Sequence, residues 1–354
     1  MVEKGDGKLN HKIVVGLLIT ALCLTTFAAV KITPAHAPGN NIWRIPIDFP
    51  TLEIAIASGF VVNNDEIHIL AGQFEVLSGP ITIWQNGLWI IGSPPSLGPT
   101  PTINVNGFVI TVLGSNVFIW GLNIIDPTGA SPALINLAPP SANCLIMNNI
   151  ITGAAPPNTG ILVQGTNNVV TLNTISFCGW CIDVTAPSSG NIVKLNTINV
   201  PNNWGIQVSG GVTANNAIYW NNVWTLGPLF EFWDATPGSP PNWFDDTSAP
   251  GGPSFTKGNY WGTTVPPPLV PFPIPGPGGN GWFDFFPQPA PIAQIQGDVN
   301  VDGRVNIFDI VTVAVSFNEI WCQLGWDPLA DPNGDGTIDI FDIVAVAVNF
   351  GATY

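Results

Sequence analysis

Two segments near the C-terminus hold closely spaced oxygen-bearing side chains. They are Asp298-Val-Asn-Val-Asp-Gly-Arg-Val-Asn-Ile-Phe-Asp309 and Asp331-Pro-Asn-Gly-Asp-Gly-Thr-Ile-Asp-Ile-Phe-Asp342. Both place Asp or Asn at positions 1, 3, 5, 9 and 12, with glycine at position 6, and they begin 33 residues apart. A hard divalent cation such as calcium takes six to eight oxygen ligands, so it needs carboxylates and amides this closely spaced. The glycine lets the backbone turn back around the ion. One such match is weak, whereas two matches in register argue for a duplicated calcium loop. The plain alternative is a pair of solvated acidic turns.

The flanking residues narrow the reading. Ile-Val-Thr-Val-Ala-Val-Ser-Phe follows Asp309 and Ile-Val-Ala-Val-Ala-Val-Asn-Phe follows Asp342, each long enough for about two helical turns. No comparable helix-forming segment precedes either loop. A duplicated calcium loop of EF-hand kind, with only an exit helix and with Asp at position 12, resembles a type I dockerin over about residues 293–354. That resemblance implies two calcium ions. The first would be held by Asp298, Asn300, Asp302, the Arg304 carbonyl, Asn306 (directly or through water) and Asp309. The second would be held by Asp331, Asn333, Asp335, the Thr337 carbonyl, Asp339 and Asp342. Loop two has the larger ligand charge, so it is expected to bind calcium more tightly. The resemblance also implies a cohesin-like protein partner, contacted through positions 10 and 11, here Ile307-Phe308 and Ile340-Phe341. Well-known dockerins are polar at those positions. The repeated Ile-Phe pair therefore suits either a two-fold contact face or the module's own small core.

The N-terminus sets the expected compartment. Lys4, Lys8 and Lys12 precede an apolar run, Ile13–Val30, and Pro34-Ala-His-Ala37 follows. These are the parts of a secretory signal peptide with cleavage after Ala37. An uncleaved membrane anchor is the alternative. Residues 38–354 carry 21 acidic residues and four basic ones (Arg44, Lys194, Lys257, Arg304), a net charge of −17. Nucleic acid is excluded as a partner with so few cations to neutralise phosphates. An extracellular or cell-surface location is expected. The spacing Cys178-Gly-Trp-Cys181 could serve a redox pair or half a metal site. With no second such motif, packed thiols or one incidental disulfide is the simpler reading.

Between leader and loops the chain is poor in charge and rich in Asn, Gly, Pro and β-branched residues. It also repeats. The segments starting at Asn116, Asn143, Asn168, Asn191 and Asn216 align without gaps, and a second asparagine column falls at 148, 173, 196 and 221. A period near 24 with short strands predicts the coils of a right-handed parallel β-helix, with asparagines at the turns. A β-sandwich would not superpose the columns. Ile45-Pro-Ile-Asp-Phe-Pro-Thr-Leu-Glu-Ile-Ala-Ile-Ala57 resembles the N-terminal cap helix of pectin-lyase-like β-helix proteins, with Thr51 as its N-cap. Lys257-Gly-Asn-Tyr-Trp-Gly262 resembles the closing segment of the cell-surface and periplasmic members. This second resemblance covers about residues 41–287 and implies fold more than function.

Catalysis by such a fold needs paired carboxylates or a cationic base. The only basic residues from 38 to 295 are Arg44, Lys194 and Lys257, and the only histidine is His68. Asp183 with Glu231 or Asp234 is the least implausible carboxylate pair; Asp245 and Asp246 read as turn residues. A polysaccharide lyase or glycoside hydrolase of a cellulosome-like assembly is therefore the secondary reading. Tryptophans at 204, 220, 224, 233, 243 and 261 could stack on sugars or pack within the coils. Residues 264–292 form a Pro/Gly-rich segment that serves as linker and closes the β-helix, from which the C-terminal module would hang free. The expectation is a four-part chain: leader 1–37, β-helix 38–263, linker 264–292 and calcium module 293–354. Its β-helix would bind glycan or serve as a scaffold.

Overall fold

The structure, a computed structural model, describes residues 41–154, 158–200, 204–209, 215–225, 232–234, 259, 272–273, 283–284 and 291–353. The expected leader, most of the Pro/Gly-rich segment, and Glu231, Asp245, Asp246 and Lys257 lie outside the described residues.

Three parallel sheets build the N-terminal body. The first has eight strands, running from Ile42–Ile45 and Glu66–Ile69 to Ala217–Tyr219. The second has seven, from Phe74–Val76 to Asn222–Thr225. The third has seven, from Ile81–Ile83 to Phe232–Asp234. Successive coils supply one strand to each sheet, which makes a parallel β-solenoid of right-handed type with about seven turns. Strands of three to six residues could not stand alone; each is held by the coils above and below. Inward positions stack aliphatic on aliphatic. Ile90, Ile119, Ile146, Val170, Val193 and Ile218 form one such column, all fully or almost fully buried. Helix α1 (Leu52–Ala57) buries Leu52 and Ala55 at the N-terminal end, and its N-cap Thr51 accepts from Ile54 N–H as expected. The Glu75 carboxylate accepts from Leu52 and Glu53 N–H, satisfying two more free donors of that helix.

The strand register moves the asparagine columns by one residue in the early coils. Leu145 pairs with Phe118 on one side and Val169 on the other. The true columns are therefore Val117, Cys144, Asn168, Asn191, Asn216 and Leu122, Asn149, Asn173, Asn196, Asn221. The Asn149 side chain accepts from Leu122 N–H, Asn173 from Asn149, Asn196 from Asn173, Asn221 from Asn196, and Asn259 from Asn221, all at 3.0–3.1 Å. Asn116, Asn143 and Asn148 occupy the preceding turn instead, at φ of 57°, 54° and 54°. Asparagine is suited both to a left-handed turn and to a buried ladder, so composition alone does not separate the two sites.

The C-terminal module holds helices α2 (Ile307–Val315) and α3 (Ile340–Val348). Its halves exchange support. Arg304 bridges Thr353, beyond α3, and Thr337 bridges Ile320, beyond α2. The module does not hang free. Trp89, Phe118, Trp120, Leu145 and Met147 on the outer face of the first sheet share one buried cluster with Val299, Val301, Trp326 and Ala330. Trp326 meets Trp120 edge-on at 5.9 Å, and Trp321 stacks on His68 at 4.6 Å. The aromatics of that face pack neither inside the coils nor against solvent; they are the seat of the module. On the solenoid strand His68 Nε2 lies 2.7 Å from Glu66 Oε2, and across the joint Gly325 N–H donates to Glu66 Oε1.

Candidate functional site

Each acidic loop is folded around its own carboxylates. In loop one the Asp298 carboxylate accepts from Asp302 and Gly303 N–H, Asn300 accepts from Asp302 N–H, and Asp302 accepts from Arg304 N–H. In loop two Asp331, Asn333 and Asp335 make the equivalent bonds, to Asp335 and Gly336, to Asp335, and to Thr337. Gly303 and Gly336, at position 6, sit at φ of 91° and 87°, where a side chain would be strained. At position 9, Asn306 and Asp339 cap the exit helices by accepting from Phe308 and Phe341 N–H. At position 12, Asp309 and Asp342 close a capping box by accepting from the N-cap N–H at 2.8 Å each.

Charge is concentrated where water is scarce. Asp298, Asp309, Asp331 and Asp342 are 2%, 0%, 6% and 0% exposed. Burial, reinforced by the neighbouring Asp309 and Asp302 charges, pushes Asp298 up to about 7. Burial with the Asp331 and Asp335 charges pushes Asp342 up to about 6, and burial also raises Asp309 and Asp331. Among the described residues no three Asp, Glu, His or Cys side chains converge as a metal-binding group. The position-1 and position-12 carboxylates face backbone N–H groups within each loop, and the rest of the expected donor set is amide and carbonyl oxygen. Hard oxygen donors carrying unbalanced, desolvated negative charge are chemically suited to a hard divalent cation.

Two functional contacts were not legible in the motif. At position 4 of loop one, the Val301 carbonyl accepts from Lys194 Nζ of the solenoid; at position 4 of loop two, the Gly334 carbonyl accepts from Ser96 Oγ. Both position-4 residues are in the left-handed region, at φ of 56° and 70°. The solenoid thus grips the two loops at equivalent atoms. The only hint in sequence is that Lys194 is one of very few cations in the solenoid.

The module also exposes large apolar side chains. Ile307, Phe308, Ile340 and Phe341 are exposed, as are Val315, Phe317, Val348 and Phe350, each pair related by the 33-residue repeat. Val313 and Val346 supply the module's core instead. The Ile-Phe pairs therefore do not close the core.

The strand positions of the two described residues considered for hydrolysis are out of step. Asp183 aligns with Gln207 and Trp233, whereas Asp234 aligns with Val208 and Val184, one place out of step. Glu231 lies outside the described residues. Cys144, Cys178 and Cys181 are buried as free thiols, and burial pushes Cys144 up to about 11 and Cys181 well above its usual value. Such thiols are inert packing groups.

No family model matches the chain, and no curated protein matches it. Two solved structures are similar in fold. An alginate lyase from Paenibacillus sp. str. FPU-7 is 14% identical with a TM-score of 0.33, over 57% of this chain and 96% of that one. A pectin methylesterase mutant in complex with a hexasaccharide is 12% identical with a TM-score of 0.38, over 71% of this chain and 93% of that one.

Proposed function

We propose that the C-terminal module is a calcium-dependent, dockerin-like coupling device. It joins an exported β-solenoid to a cohesin-like protein at the cell surface or outside the cell. The observation that carries this reading is the repeated burial of position-1 and position-12 carboxylates in two superposable loops, with negative charge that a divalent cation would offset. One ion belongs to each loop, with the oxygens of Asp298, Asn300, Asp302, Arg304, Asn306 and Asp309 in the first. Those of Asp331, Asn333, Asp335, Thr337, Asp339 and Asp342 serve the second. The bound ion's chemistry is electrostatic and structural: it neutralises the loop and fixes the exit helix.

The partner meets the apolar face around Ile307, Phe308, Ile340 and Phe341, which is large, repeated and uncovered. The solenoid is the displayed body, a carbohydrate binder or scaffold. The basic, apolar and Ala-x-Ala parts of residues 1–37 support export. A polysaccharide-cleaving solenoid has less support, because Asp183 and Asp234 stand at different register positions.

Calorimetric titration of calcium into chelator-stripped protein tests the metal reading. Two binding events are expected; Asp309→Ala should abolish one and Asp342→Ala the other, with the larger loss of affinity from Asp342→Ala. Absence of binding at millimolar calcium would overturn the reading. Capture of cohesin domains, lost on Phe308→Asp with Phe341→Asp, tests the partner separately.

A further inference from the structure

Three successive segments that lead into strands of the first sheet lie one upon another: residues 61–64, 84–87 and 114–115. Asn64 N–H donates to the Asn86 carbonyl, and Asn86 N–H donates to Asn63 Oδ1, both at 2.9 Å. Ser115 N–H donates to Asn86 Oδ1, and Gly87 N–H donates to the Ser115 carbonyl, both at 2.8 Å. Gln85 accepts from Trp84 N–H and donates to the Val61 carbonyl, each at 3.1 Å. A Cβ at Gly114 would collide with the Gln85 carbonyl oxygen, so only glycine lets the next coil lie on the backbone of 84–85. That coil leaves the Trp84 ring 69% exposed, and Phe60 beside the first segment is 68% exposed. We infer that this ledge binds a neutral oligosaccharide, with a sugar ring seated on Trp84. The inference names a site and a ligand class for the carbohydrate-binding part of the proposed function, and rests on that part.

Three features select this ligand. The first is an open aromatic face. Trp89 and Trp120 are buried beneath the module, whereas Trp84 meets solvent from a turn pinned by its neighbours. The apolar C–H face of a sugar ring packs on such a surface, and a fixed turn loses little freedom on binding. The second feature is unspent donors. Asn63 and Asn86 are exposed, and each has its Oδ1 occupied by a backbone N–H. The buried ladder residue Asn149 spends its amide N–H groups on the Ile119 and Met147 carbonyls. Those of Asn63 and Asn86 have no such acceptor and remain for ligand oxygens, which sugar hydroxyls supply. The third is the lack of charge. Residues 58–64, 82–87 and 113–116 hold no charged side chain. The adjoining Asp65 is buried and accepts from Asn41, Trp43 and Val62. A uronate would find no cation on the ledge and would approach an acidic chain, so acidic glycans are disfavoured.

Isothermal titration of the full chain in calcium-containing buffer tests the inference. The probes are neutral gluco-, xylo- and manno-oligosaccharides, with an oligogalacturonate as the acidic counterpart. Saturable binding of a neutral oligosaccharide is expected, with the oligogalacturonate at least about tenfold weaker. Trp84→Ala should weaken neutral binding by about tenfold or more, the scale of one lost aromatic face. Trp84→Phe should retain part of the affinity, because it keeps a smaller ring. Neither variant should change the melting temperature or the calcium titration, since the ring is exposed and backbone bonds hold the turn. Neutral binding that is unaffected by Trp84→Ala overturns the site but leaves the solenoid a carbohydrate binder elsewhere. Equal or tighter binding of the oligogalacturonate overturns the ligand class. Failure to bind any oligosaccharide overturns both the inference and the carbohydrate-binding reading.

Discussion

At the scale of single residues, Asp309 carries two duties. As a proposed calcium ligand it supplies charge; as a capping residue it accepts from Val299, Asn300 and Asn306 N–H, at 2.8, 3.1 and 2.8 Å. The second duty needs no ion. In chelator, Asp309→Ala should therefore still destabilise the module, by about 2–4 kcal/mol, because three partly buried donors lose their acceptor. Chemical denaturation in chelator reads this, and a loss below about 0.5 kcal/mol would remove the capping role. Asp183 gives a pH signature in the solenoid. Burial pushes it up to about 6 against its usual 3.8, although its carboxylate accepts from Ser209 Oγ. A carboxylate raised by folding adds stability that is complete below about pH 4 and is lost as pH rises through about 6. Asp183→Asn removes the ionisation and keeps an acceptor. It should melt higher than the parent at pH 8 and no higher at pH 4; equal melting at pH 8 would contradict the burial of that carboxylate. The donor types and spacing at these loops were legible in the sequence, because they are local. The Lys194 and Ser96 contacts were not, because they depend on residues more than a hundred positions away.

At the scale of elements, the coil is the unit, and the ladder asparagine is what lets a coil turn while buried. Asn149 accepts from Leu122 N–H and donates to the Ile119 and Met147 carbonyls; its neighbour Asn148 is exposed and only supplies a left-handed turn. The two adjacent asparagines should respond very differently. Asn149→Ala should cost on the order of 3 kcal/mol or more, since several buried groups are left unpaired. Asn148→Ala should cost about 1 kcal/mol, the strain of a left-handed backbone. Thermal unfolding of the two variants decides the register, and the reverse order would restore the columns read from the gapless alignment. The period was readable from spacing, and the capping helix from the resemblance of residues 45–57 to a cap segment; that each coil carries three strands came from the structure. The register of the early coils was not readable, because Asn116 and Asn143 mimic ladder residues while Val117 and Cys144 hold the ladder position.

At the scale of the whole molecule, the module is joined to the solenoid through the loops proposed to bind calcium. Their position-4 carbonyls take Lys194 and Ser96, and the tryptophans beside them fill the joint. Removing calcium should therefore loosen the joint as well as the loops. Hydrogen exchange at Gly325, whose N–H donates to Glu66 across the joint at 3.2 Å, should accelerate in chelator and recover on adding calcium. Lys194→Ala should accelerate the same amide with calcium present. Protection unchanged by both treatments would show that the joint is held by its aromatics alone.

The asparagine spacing, the short apolar strands and the duplicated loops pointed to a parallel β-solenoid and to one helix leaving each acidic loop; the resemblance of residues 45–57 to a cap segment pointed to the helix at Leu52–Ala57. The exit helices begin earlier than their apolar runs, at Ile307 and Ile340, because Asn306 and Asp339 act as their N-caps. These are patterns of side-chain period, repeat and turn chemistry along the chain. Only the tertiary structure decided where the module sits. An outward strand residue such as Trp89 or Trp120 reads the same whether it meets water, sugar or another segment of the chain. Burial of those rings beneath Val299, Val301 and Trp326 comes from contacts between residues far apart in sequence, which no local pattern records.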